Sequence, residues 1–224
     1  MKIGILVTGL PPEELSENGG YDAFFARLLG PQRFTFQAWH VVNGEFPSSI
    51  DDADGWLITG SKHGAYEAHD WIPPLEDFIR TAHQAHRPMI GVCFGHQIIA
   101  QALGGKVEKF DGGWSIGATE YEIEGRPVTL NAWHQDQVTA LPPGARVVGS
   151  SDFCKNAALL YGDHIWTIQP HPEFESTYID GLIDQRSKGV VPPDIVAKAR
   201  AKLNTPIDSA MIATFMAEFF EKDR

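Results

Sequence analysis

The sequence predicts an α/β protein with a mostly parallel central sheet, helices on both faces and antiparallel strands appended to one side. Three observations carry that expectation. Up to about Leu103 the chain alternates short apolar runs with amphipathic segments, the pattern of successive βαβ units. From Lys106 to Gln169 it changes to several short strand-like runs separated by Gly112-Gly113, Gly125, Pro142-Pro143-Gly144 and Gly162-Asp163, which reads as antiparallel strands. From about Glu175 to Phe220 it is helical in pattern, with breaks near Gly189 to Pro193 and at Pro206.

The elements follow in order. Ile3 to Val7 is a continuous apolar run, as expected of a strand covered on both faces. A Gly- and Pro-containing loop leads to a helix over Tyr21 to Leu29, with Phe24, Phe25 and Leu28 as its apolar stripe. Phe34 to Val42 predicts a second strand and Asp54 to Thr59 a third, ending at Gly60. Pro73-Pro74 opens a helix whose apolar positions include Leu75, Phe78, Ile79 and Ala82, since proline is suited to the first helical turn. Met89 to Val92 is a short buried strand, and Phe94 to Leu103 a helix stopped by Gly104-Gly105. With no linker or internal repeat, residues 1–224 read as a single domain with a C-terminal helical extension over about 175–224.

Composition narrows the function. The 224 residues carry 18 basic and 29 acidic side chains, a formal net charge of -11, which repels phosphate backbones and anionic lipid surfaces. Neither nucleic acid nor a membrane is an expected partner. No apolar run approaches the ~20 residues of a membrane helix, and the apolar start has no cleavage site after it. The expected compartment is the cytoplasm. Cys93 and Cys154 are the two cysteines, too few for a disulfide scaffold.

Chemistry concentrates at Gly91-Val92-Cys93-Phe94-Gly95-His96-Gln97. An apolar strand ends, a cysteine follows, and a helix begins, which is the G-x-[SC]-x-G pattern of a turn that presents a nucleophile. A thiol at a helix N-terminus is biased toward thiolate, and such sites lower its pKa from ~8.5 to roughly 3.5–7.5. Gln169-Pro170-His171-Pro172-Glu173 follows another apolar strand and sets an imidazole and a carboxylate two residues apart. Together with Cys93 these supply a nucleophile, a base and an orienting group. Leu57-Ile58-Thr59-Gly60-Ser61 is a third strand ending in a small-residue turn. Its backbone N–H groups, with that of Phe94, are candidates for holding an oxyanion.

These motifs, in this order, resemble the class I, triad-type glutamine amidotransferase family over roughly residues 1–175. Trp133-His134-Gln135-Asp136-Gln137-Val138 is similar to the Ser-His-Gly-Asp-x-Val stretch of the glutaminase domain of GMP synthetase. The resemblance implies a flavodoxin-like three-layer sandwich and cleavage of a glutamine or γ-glutamyl amide through a cysteine thioester. It implies Cys93, His171 and Glu173 as the triad, with Gly60, Ser61 and Phe94 at the oxyanion hole. Gln97, His134, Gln135 and Asp136 would meet the substrate, and no cofactor or metal is implied. Two departures stand out: Gly60-Ser61-Lys62 replaces the family's frequent Gly-Gly-Pro, and Gln135 replaces its Gly between His and Asp.

No synthetase domain follows, so an ammonia acceptor would be a separate subunit. Two alternatives stay open: a γ-glutamyl peptidase that needs no such partner, and a non-catalytic glutamine-binding or regulatory module. Among the remaining residues, His96 reads as packing behind the elbow and Cys154 as structural. His63 and His69 are candidates for the pocket mouth, and Trp114 for its wall or for the core. His83 and His86 share a helix face at i, i+3, with no acidic partner evident nearby, and read as a solvated face.

Overall fold

The computed structural model describes residues 1–223. Five strands form the parallel part of a nine-stranded sheet: β1 (Lys2–Leu6), β2 (Thr35–Trp39), β3 (Gly55–Ile58), β4 (Met89–Val92) and β11 (Ile165–Ile168), in the order β2-β1-β3-β4-β11. The sheet continues antiparallel through β10 (Ala158–Tyr161), β9 (Ala145–Ser150), β6 (Ser115–Ile123) and β7 (Arg126–His134). β5 (Lys106–Lys109) and β8 (Asp136–Ala140) make a separate two-stranded ladder.

Side-chain alternation along the parallel strands builds two cores. Ile3, Ile5, Leu57, Ile90, Val92 and Trp166 point to one face. There they meet Phe25 of α1 (Tyr21–Leu29) and Ile212 and Met216 of α6 (Ser209–Glu221). Leu6, Trp56, Ile58 and Met89 point to the other face. They pack on Leu75 and Ile79 of α2 (Ile72–Gln84) and Ile98 and Ile99 of α3 (Phe94–Ala102). This is a three-layer sandwich of the expected kind, and period-2 alternation in doubly covered strands is its cause.

Local signals place the element ends well. Pro73 and Pro74 occupy the first turn of α2, where the missing N–H costs nothing. The second strand is shorter than the apolar run suggests. It stops at Trp39 because β1, its partner, ends at Leu6, and Val41–Asn43 turns into a short 3-10 helix that buries Val41.

The helical tail divides its work. Ile212, Met216, Phe219 and Phe220 form one buried stripe of α6, spaced to cover a sheet. α6 therefore completes a sandwich layer rather than standing apart from it. α4 (Ser176–Arg186) and α5 (Pro193–Ala201) build a smaller cluster with Tyr21, Phe24, Ile116 and Phe174. Among the described residues no helix is long and apolar enough to cross a membrane.

Candidate active site

Strand order brings three distant segments together. β3, β4 and β11 are adjacent and parallel, with Ile58 opposite Gly91 and Val92 opposite Ile168. Their C-terminal ends are therefore level, and the residues just beyond them, Gly60, Cys93 and His171, share one edge. Open α/β sheets bind ligands at that edge.

Cys93 sits between β4 and α3 with φ 54° and ψ −104°, a left-handed backbone unusual for a residue with a side chain. Such a conformation costs about 1–3 kcal/mol and persists only where its surroundings enforce it. Cys93 N–H donates to the Ile168 carbonyl at 2.8 Å, its own carbonyl accepts from Gln97 N–H at 3.0 Å, and Gly95 N–H donates to Thr59 at 3.1 Å. The glycines are required by close approach. A β-carbon at Gly91 would lie 2.5 Å from the Gly95 carbonyl oxygen, and one at Gly95 would run into the Ile58 carbonyl. The turn is thus clamped by the neighbouring strands, and Phe94, as the first residue of α3, has an N–H without an intrahelical partner.

His171 is anchored by its backbone N–H to the Asn131 carbonyl at 2.8 Å. Its Nδ1 lies 2.7 Å from Glu173 Oε1, and both side chains are almost wholly buried, at 4% and 1% exposure. With Nδ1–H donating to the carboxylate, Nε2 is the nitrogen left for the neighbouring Cys93 thiol. Burial is the largest influence on this imidazole and drives its pKa down. The charges of Glu173 and Cys93, with their hydrogen bonds, outweigh it and raise the pKa to about 10.

Two other buried histidines show what burial does where no carboxylate offsets it. His96 donates to or accepts from Thr167 Oγ1 at 2.8 Å, and His134 Nδ1 lies 3.2 Å from the Asp136 carbonyl. Burial first, then a neighbouring histidine in each case, pushes both down to about 3. Among the described residues neither has a carboxylate partner. His171 is held as imidazolium by its company, and the arrangement is a buried ion-paired donor aimed at a thiol.

The Gly60 turn closes the site from β3. A β-carbon there would lie 3.0 Å from His171 Cε1 and 3.7 Å from Cys93 Cβ. Neither Gly60 nor Ser61 has a positive φ, so the serine in place of the family's second glycine carries no backbone strain. Ser61 Oγ instead accepts the His63 N–H at 3.2 Å.

The edge opens into a cleft of about 510 Å³ lined by Cys93, Ser61, Gln97, His134, Gln135 and Asp136 among others. Gln97 Nε2 donates to the Asp136 carbonyl at 3.0 Å and to Gln169 Oε1 at 3.1 Å. The Asp136 carbonyl is thereby engaged, and its half-buried carboxyl, held above the usual carboxylate range by burial, pairs with Tyr66 of the same cleft. Gln135 Nε2 donates to the Phe110 carbonyl at 3.3 Å. Lys62, Lys109, Arg186 and Lys188 line the same cleft, against Glu67 and Asp136. In a chain of net charge -11 this is a local excess of positive charge.

Residues 39–184 match the family described as Glutamine amidotransferase class-I, a span holding the Gly60 turn, the Cys93 elbow and the His171–Glu173 pair. The chain belongs to that family. This amidotransferase-family chain is 31% identical over 199 residues to gamma-glutamyl peptidase 4 of Arabidopsis thaliana, covering 81% of this chain and 79% of that protein. It is 32% identical over 143 residues to the glutamine-hydrolysing GMP synthase of Aromatoleum aromaticum, covering 55% of this chain and 26% of that one. A glutamine amidotransferase of known structure from Thermotoga maritima superposes with a TM-score of 0.75 at 18% identity, with 99% of each chain covered. At that identity the likeness concerns the fold.

Several supporting residues of this class I amidotransferase lay outside the sequence motifs. Phe174 stacks on the His171 ring, with centroids 4.1 Å apart and planes 7° from parallel. It follows Glu173 directly, so the aromatic beside the motif was the available signal. Thr8 Oγ1 donates to the Thr59 and Gly60 carbonyls at 2.9 and 3.1 Å, which braces the Gly60 turn from the end of β1. Asn131 Nδ2 donates to the Phe174 carbonyl at 2.9 Å. His96 is fully buried behind the elbow, and Cys154 is 1% exposed with burial pushing its thiol up to about 12. Both fit the packing roles expected of them. Trp114 lines the cleft and packs against the smaller cluster, and His63 lines the cleft while His69 stands beside it.

Proposed function

We propose that this protein hydrolyses γ-glutamyl amides through a γ-glutamyl thioester on Cys93, with His171 as proton carrier and Glu173 as its orienting charge. The observation that carries the reading is the buried 2.7 Å His171–Glu173 pair beside a thiol on a strained strand-to-helix turn. The Cys93 thiolate attacks the amide carbon, and the carbonyl π-electrons move to oxygen. The Phe94 N–H and the Gly60-Ser61 turn receive that oxyanion, and each such donor is worth about 2.7–4 kcal/mol. His171 gives its Nε2 proton to the leaving nitrogen, the C–N bond breaks, and the thioester forms. His171 then takes a proton from water, hydroxide adds to the thioester, and glutamate leaves with the thiolate restored. Gln97, His134, Gln135 and Asp136 hold the glutamyl moiety, with the Asp136 carboxylate suited to its α-ammonium.

The cleft favours a leaving group larger than ammonia. It is within the usual size of small-molecule sites and has more room than the glutamyl group alone fills. Its lysines and arginine suit a carboxylate on the departing part, as in a γ-glutamyl peptide. An amidotransferase whose ammonia is consumed by a separate synthetase subunit is the second reading, supported by the likeness to GMP synthase. Both readings suit the cytoplasm, where thiols such as Cys93 and Cys154 stay reduced.

Initial rates on free glutamine and on γ-glutamyl dipeptides, with Cys93→Ser as control, separate the two. Partner-independent dipeptide cleavage that exceeds glutamine turnover is the expected result. Glutamine turnover that dominates, or that needs an added subunit, would overturn the peptidase reading. Activity persisting in Cys93→Ser would overturn the mechanism.

A further inference from the structure

The edge of the sheet opposite Cys93 holds a second cluster of chemistry. His83 lies in the last turn of α2, His86 two residues beyond its end, and Asp163-His164 in the turn between β10 and β11. The histidine pair that sequence spacing left as a solvated face is met here by partners from a turn nearly eighty residues away. His83 Nδ1 lies 2.9 Å from His164 Nε2. The His86 ring stands 4.5 Å from the His164 ring, and Asp163 Oδ1 lies 3.6 Å from His164 Nδ1.

We propose that His86, Asp163 and His164 form a divalent transition-metal site suited to Zn²⁺, with His83 holding the His164 ring in its metal-binding tautomer. One donor atom from each of the three lies within 4.8 Å of the others. A tetrahedral zinc ion at about 2.05 Å from N and O ligands sets those atoms roughly 3.3 Å apart. The Asp163–His164 separation is close to that value already. The exposed side chains of His86 and Asp163 need only rotamer adjustment to complete the set, with solvent as the fourth ligand.

His164 is the independent pointer to a ligand. Its side chain is 3% exposed, and Nδ1 is buried with no partner within hydrogen-bond distance among the described residues, Asp163 Oδ1 lying just beyond at 3.6 Å. Leaving a buried polar nitrogen unsatisfied costs about 1–3 kcal/mol. If Nε2–H donates to His83 Nδ1, Nδ1 of His164 carries its lone pair toward Asp163 and His86. That is how an outer hydrogen bond selects the ligating nitrogen of a metal-bound histidine. Two imidazoles and one carboxylate suit zinc and its neighbours rather than calcium or magnesium.

The site lies at the roots of the two strands that carry the catalytic pair. His164 carbonyl accepts the Met89 N–H at 2.8 Å, and Met89 opens β4 while Ile165 opens β11. A bound ion joins the α2–β4 turn to the β10–β11 turn, so it acts on stability and not on the reacting atoms. A second cluster, His63, Glu67 and His69, lies beside the active-site cleft. There Glu67 already pairs with both rings.

The test is a calorimetric titration of the metal-stripped full chain with Zn²⁺, alongside thermal unfolding. One saturable equivalent is expected in a Cys93→Ser, His69→Ala background, which removes the competing donors. At zinc a hundredfold above Kd the melting temperature rises by about 5–10 °C. His83→Leu weakens binding by about 10–100-fold, and His86→Asn and Asp163→Asn, which each remove a ligand, weaken it by more. Asparagine is chosen at position 86 because φ is 53° there, a conformation it tolerates. Both ligands are exposed, so those variants fold even if a His164 variant does not. No saturable binding at millimolar zinc, binding that survives both asparagine variants, or binding lost in the background variant would each overturn the proposal.

Discussion

Replacing Glu173 by glutamine tests the electrostatic core of the mechanism. The change removes a charge and almost no volume, at a side chain 1% exposed whose Oε1 lies 2.7 Å from His171 Nδ1. The Gln amide oxygen is able to accept the same Nδ1–H, so the ring keeps its orientation. What is lost is the charge that offsets burial. His134 and His96, equally buried and without a carboxylate, are held at about 3, against about 10 for His171. Without Glu173 the His171 pKa moves down toward those of its two counterparts, and the proton it holds for the leaving nitrogen is lost more readily. A charge-assisted bond contributes about 1.5–3 kcal/mol, which corresponds to roughly a 10–150-fold fall in kcat/KM. The assays are initial rates on a γ-glutamyl dipeptide and the pH titration of the His171 ring by NMR. In Glu173→Gln the His171 ring is expected to lose its proton at a lower pH than in the unmodified protein. His171 titrations that superimpose, with kcat/KM unchanged, would refute this role for Glu173.

Three further outcomes follow from the same geometry. Gly95→Ala drives a β-carbon into the Ile58 carbonyl and is expected to lower stability in urea by about 1–3 kcal/mol while displacing Cys93. A wild-type unfolding curve would show that the elbow is not clamped. Phe174→Leu removes the ring stacked on His171 and its favourable contact with the charged imidazole, about 0.5–2 kcal/mol. kcat/KM should fall about 2–30-fold with KM little altered, and a purely KM effect would contradict this role. Histidine NMR should find His96 and His134 neutral and His171 charged across pH 5–8. A His171 signal titrating near ~6.5, the ordinary value, would remove the ion pair.

Stability should respond in opposite directions to the two kinds of histidine. His96 and His134 have folded pKa values below the unfolded ~6.5, so the unfolded chain binds protons that the folded one refuses. Their contribution is present above ~6.5 and is lost as pH falls toward about 3. His171 has a folded pKa above the unfolded value. Its contribution is full below ~6.5 and is lost as pH rises through about 10.

Whatever a short window of chain can enforce was legible in the sequence. Gly91-x-Cys93-x-Gly95 reports a strand-to-helix turn because backbone sterics at those positions admit little else. The apolar runs at Ile3, Leu57 and Met89 report doubly covered strands, and His171 two residues before Glu173 reports a local acid–base pair. These depend on neighbours a few positions away, so composition and period reveal them. Tertiary structure decided which distant segments meet. β11 pairs on one side with β10, its neighbour in sequence, but on the other with the distant β4, and that second pairing sets His171 next to Cys93 and His164 next to His83. The same strand order let α6 complete a sandwich layer and put Thr8 behind the Gly60 turn. Pairing across such separations is settled by burial and hydrogen-bond satisfaction over the whole chain, which no local pattern encodes.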